Sequence, residues 1–206
     1  AERAMLTYLE EGLNAWLTEL KDQGVSQAQQ DQLVAILTRP DGVIRLSGLI
    51  QDLGNHQDGH IDLHRGLAAG NRAPPRDDPD APAFQVLVTD LVRHEGRHLL
   101  YYLLRTEPET FGWLRSLIGE PPATPDAEEE TIITHQLAYF RTHPNELTQL
   151  ITLLADQTTD RWRPIIGDAY LRRLQIEQRV RNILVHPETT LAADQVGWSD
   201  AETYTF

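Results

Sequence analysis

Cysteine is absent from the 206 residues, which excludes disulfides and thiolate metal ligands. Lysine is nearly absent as well: Lys21 is the single example, and the other basic residues are arginines. Positive charge is therefore scarce, with 18 basic against 31 acidic residues and a net charge of −13. Such a surface repels phosphate backbones, so any nucleic-acid contact needs a local basic patch. No apolar run approaches the length of a bilayer span, and the opening AERAMLTYLEEG lacks a signal-peptide pattern, so the expectation is a soluble cytoplasmic chain with no membrane contact. What is present is ordinary globular material, 40% hydrophobic and 24% charged, enough to bury a real core in one domain spanning residues 1–206.

Helical periodicity runs through most of that material. Leu6, Leu9, Leu13, Trp16, Leu17 and Leu20 fall on one helical face that ends at Gly24. Ser26 then reads as the N-cap of a helix over 27–37, and further apolar stripes predict helices over 83–105, 126–142 and 159–185. The residues six, nine and ten beyond Pro40, Pro108 and Pro144 are all aliphatic, which predicts a short helix after each proline. The fold class expected is all-α, a bundle of about seven or eight helices built from helix-turn-helix pairs. Glycines and prolines crowd 54–82 and predict a long internal loop, exposed around 70–82, between an N-terminal helical hairpin (1–53) and a C-terminal bundle (83–206). The one strand candidate is His60 to His64, where Ile61 and Leu63 alternate with polar neighbours.

Three constellations carry chemistry. In RNILVH, Arg181 to His186, an Arg, a polar residue, three aliphatics and a His close an Arg-rich stretch over 161–186. Cleavage of RNA by its own 2′-hydroxyl needs a proton-transfer group and a cation for the developing phosphorane charge, roles that suit His186 and Arg181, with Asn182 positioned to orient the arginine. Pro187 helps His186 leave the helix. The hexapeptide resembles the signature of HEPN-type ribonucleases. That resemblance implies an all-α, metal-independent RNA-cleaving protein, a toxin or prokaryotic defence component that forms its site as a homodimer. Glu188 stands where some members of that family carry a tyrosine. The alternative reads the arginines as an ion-pair ladder and the chain as an acidic α-helical adaptor for a protein partner.

The second constellation is HEGRH, with His94 and His98 one helical turn apart and Glu95 beside the first. Two histidines at that spacing converge on a zinc ion, and the glutamate can serve as general base to metal-bound water, as in zincin metallohydrolases. Leu87, Leu91, His94, His98 and Tyr102 share a face, so both rings point inward. Candidate third ligands are Glu128, Glu129, Glu130 and His135, but no zincin-like spacing or edge strand accompanies them, and Arg97 would be costly beside an ion. The alternative makes both residues hydrogen-bonded core histidines that need no cofactor. RHEGRH also repeats the Arg-to-His spacing of RNILVH, although a continuing helix would keep Arg93 and His98 on different faces. Third, His56, Asp58, His60, Asp62 and His64 cluster; on a strand, His60, Asp62 and His64 would share one face.

Overall fold

Gly96, in the middle of HEGRH, marks where two helices meet. In this computed structural model, which describes residues 2–39, 44–47, 54–57, 59–64 and 73–155, a Cβ placed on Gly96 would come within 2.7 Å of the Trp16 ring. A bare backbone is what lets α1 (Glu2–Asp22) lie along α3 (Ala81–Thr106), and Gly12 packs similarly against Thr89 and Val92. Tyr8 adds an edge-on contact with Phe84, ring centres 4.8 Å apart.

Ser26 closes a capping box with Gln29 and starts α2 (Gln27–Leu37). Pro82 in its first turn starts α3, and Pro108, directly after Glu107, stops it. Two short helices follow, α4 (Pro108–Phe111) and α5 (Leu114–Ile118), then α6 (Pro125–Thr142), capped by the Thr124 side chain, and α7 (Pro144–Ala155). Buried side chains surround much of α3, including Phe84, Leu87, Val88, Val92, Leu99, Leu100 and Leu103, as befits a central helix. Side chains of α1, α2, α6 and α7 join it in one apolar cluster. The protein is thus mainly helical, with seven helices among the described residues.

A small sheet departs from the sequence expectation. β1 (Ile44–Ser47), β2 (Gly54–Gln57) and β3 (His60–His64) form it in the order β1-β3-β2. β3 is the predicted strand; it runs parallel to β1, with Ile44 opposite Ile61, and antiparallel to β2, with Gln57 opposite His60. Asp58 and Gly59 separate β2 from β3, and Gly59 has φ +79°, which a tight hairpin favours. A Cβ at Gly59 would meet Tyr102 of α3 at 3.0 Å, so the hairpin tip docks on the central helix.

Two local expectations are corrected. Leu46 lies in a strand, not in a helix after Pro40, because Ile44–Ser47 pairs with β3. After Pro108 the predicted short helix breaks into α4 and α5, whereas after Pro144 it is continuous. The end of the 54–82 loop is not a free tether either: Ala73 and Pro74 are buried, Tyr8 donates from its hydroxyl to the Pro74 carbonyl at 2.9 Å, and Arg76 pairs with Glu11. Among the described residues no helix is long and apolar enough to cross a membrane.

Candidate metal centre

α3 and α6 pack antiparallel through matched polar stripes. Asp90, His94 and His98 follow one another at four-residue intervals on α3, and Glu128, Ile132 and Gln136 do so on α6. Gln136 donates from Nε2 to Asp90 Oδ1 at 2.9 Å, which leaves its carbonyl Oε1 facing His94 Nδ1 at 2.9 Å. A carbonyl only accepts, so His94 carries a proton on Nδ1. His98 Nδ1 is fixed the same way by the Glu128 carboxylate at 2.6 Å, and Arg105 holds Glu128 in turn.

With both Nδ1 atoms committed as donors, the two Nε2 atoms face a single carboxylate oxygen. Glu129 Oε2 lies 3.3 Å from His94 Nε2 and 3.2 Å from His98 Nε2, and the three ligand atoms lie within 4.8 Å of one another. In neutral rings of this tautomer Nε2 bears a lone pair, so three electron-rich atoms converge and need positive charge between them. Protons meet that need if both rings become imidazolium. Burial opposes this for His94, but the Glu129 hydrogen bond and the Glu95 and Glu129 charges outweigh it and raise its pKa to about 9. Burial also opposes the charged form of His98, whose pKa is nonetheless raised by Glu129 and Glu128. Hydrogen bonds from the two histidines hold Glu129 well below the ordinary carboxylate range.

A divalent cation meets the same need with one charge centre. Zinc bonds to histidine nitrogen and carboxylate oxygen at about 2.0–2.2 Å, so tetrahedral ligand atoms stand about 3.3–3.6 Å apart. The observed 3.2 and 3.3 Å spacings are close to that edge. The Gln136 and Glu128 bonds to Nδ1 match the outer-shell contacts that orient histidine ligands. His98, Arg105, Thr124, Asp126, Glu128 and Glu129 line an adjoining cavity of about 550 Å³, space for a molecule from solution beside His98 and Glu129, two of the three candidate ligands.

HEGRH thus brings His94 and His98 together, and of the four candidate third ligands the fold selects Glu129. Glu128 orients His98 instead, and His135 is engaged by Arg97 at 2.9 Å. Arg97 is held by His135 and makes no ion pair with the cluster. Glu95 does not stand at the cavity as a general base would: its side chain is buried, at 3% exposure, and it acts on the rings through its charge. Arg93 makes a bidentate pair with Glu19, at 2.7–3.0 Å, under the Tyr139 ring, so it forms no site with His98. Sequence reasoning did not single out Gln136 and Asp90; the signal for them was the four-residue stripe on each helix.

The other candidates are placed less fully. β3 confirms the alternation that puts His60, Asp62 and His64 on one face, but the side chains of His56, Asp58, Asp62 and His64 are outside the described residues. Arg181, Asn182 and His186, with the whole 161–186 stretch, also lie outside them. His94, His98 and Glu129 are the one group among the described residues whose ligand atoms could hold a metal ion. No family model, curated protein or solved structure matches the chain.

Proposed function

We propose that the chain is a metal-dependent hydrolase in which His94, His98 and Glu129 hold a divalent ion of the zinc class. The observation that carries this reading is the convergence of two Nε2 atoms on Glu129 Oε2 while Gln136 and Glu128 fix both Nδ1 atoms. Three candidate protein ligands, two of them lining a cavity, match the plan of catalytic zinc sites, whereas structural sites use four. The ion would lower the pKa of a bound water towards neutrality, and the chain's own part is to orient the ligands through Asp90, Gln136, Glu128 and Arg105. Metal analysis of protein reconstituted with zinc tests this: about one ion per chain is expected, lost in a His94→Ala/His98→Ala double variant. Hydrolysis of a simple activated ester should follow the bound zinc. Zinc binding that survives loss of both histidines refutes the assignment.

RNILVH supports a second reading, metal-independent RNA cleavage of the HEPN type by Arg181, Asn182 and His186. Digestion of total RNA in EDTA, abolished by His186→Ala, supports it; equal cleavage by both proteins refutes it.

A further inference from the structure

Next to the histidine cluster, across Gln136, α1, α3 and α6 enclose a recess of about 120 Å³. Its polar groups are Glu19, Gln23, Arg93, Arg97, His135 and Gln136. Trp16, Leu20, Ile132 and Tyr139 form the apolar walls. Glu19 neutralises Arg93 through three hydrogen bonds of 2.7–3.0 Å. Arg97 has no such partner: among the described residues no carboxylate lies within 4.0 Å of it, and its Nε is buried without a hydrogen bond. Its hydrogen bond is from Nη2 to His135 Nε2, at 2.9 Å. Burial, and then the neighbouring Arg97 charge, lower the His135 pKa, so that ring is a neutral acceptor and brings no second charge. The recess therefore holds one guanidinium charge in excess, in a protein whose net charge is −13.

We propose that this recess binds a small carboxylic acid, with the carboxylate on Arg97 and a short aliphatic body against Trp16, Leu20 and Ile132. A guanidinium presents a planar donor fork that suits a carboxylate, and removing both from water strengthens their pairing. The volume is that of about four waters, enough for a body of a few carbons. The apolar walls favour such an acid over inorganic phosphate, which has no surface to lay against them. None of His94, His98 and Glu129 lines it, and Gln136, which accepts from His94 Nδ1, is the residue the two sites share.

Calorimetric titration of the full chain with acetate, butyrate and inorganic phosphate tests the proposal, each run in EDTA and in zinc. Saturable butyrate binding, tighter than acetate by roughly tenfold for its two extra methylenes, is expected in both buffers. Arg97→Met keeps the length and apolar stem and should lose the binding, whereas Arg97→Lys should weaken it. Circular dichroism establishes that each variant is folded, and Gln23→Ala, at the rim, gives a second variant that should shift affinity without touching Arg97. No saturable binding of either carboxylate, butyrate binding unchanged in Arg97→Met, or phosphate bound more tightly than butyrate would each overturn it.

Discussion

Replacing Gly96 with alanine should destabilise the protein even though alanine is the better helix former. The new Cβ would stand 2.7, 2.8 and 3.0 Å from Cζ2, Cε2 and Cη2 of Trp16, a ring only 4% exposed and hemmed in by α1 and α3. Overpacking of this kind costs about 1–3 kcal/mol. Alanine returns about 0.5–1 kcal/mol through its smaller loss of backbone freedom. On central values the clash wins, and the expected net loss is about 1 kcal/mol, roughly 2–4 °C in melting temperature for a chain of this size. Trp16→Leu removes the ring atoms that clash. In that background the same Gly96→Ala change should stabilise by about 0.5–1 kcal/mol, so the sign of its effect inverts. Urea unfolding of the four proteins, at fixed buffer with EDTA, measures both effects. An alanine variant as stable as its parent, or a cost that persists without the indole, would refute the packing argument. Gly96 lies about 200° around the helix from His94, so zinc affinity should not change.

Four further outcomes follow from the same contacts. Gln136→Met removes the acceptor on His94 Nδ1 and the donor to Asp90, and competition with a chelator should show zinc affinity falling about 10–100-fold. In EDTA, the raised His94 pKa contributes stability that is fully present below about pH 6.5 and is lost as pH rises through about 9. With zinc bound the trend over that range should reverse, because protons compete for the ligands; melting curves in the two buffers that slope the same way would contradict this. Glu19→Gln leaves the Arg93 guanidinium, 11% exposed, without its carboxylate, and denaturant titration should show a loss of about 1–3 kcal/mol. Tyr139→Leu removes the ring 3.7 Å from the same guanidinium and should cost about 0.5–2 kcal/mol beyond packing, resolved by a double-mutant cycle with Arg93.

The helices were legible because their apolar residues recur with helical spacing and their ends carry caps. Leu9, Trp16 and Leu20 are buried on α1, and Ser26 caps α2. The sheet was harder to see because β2 is Gly54–Gln57, a polar tetrapeptide with no alternation, and it is held by pairing with β3 rather than by strand propensity. The Asp58–Gly59 pair was its readable mark. At the candidate centre, spacing within one helix placed His94 and His98 together. It did not choose among three consecutive glutamates on another helix, since that depends on how α6 is rotated against α3. Burial of Ile132, Gln136 and Phe140 fixes that phase, turning Glu128 into the core and Glu129 towards both rings.

His98 and Glu129 sit at the two ends of a segment that holds α4, α5 and the turn into α6. In a chain with no cysteine, an ion gripped at both ends would act as a removable cross-link, present while the site is folded and stabilising it by the free energy of binding. Mechanical stiffness of the α3–α6 half of the molecule would then be set by the supply of metal, and so could be switched by a chelator without breaking a covalent bond.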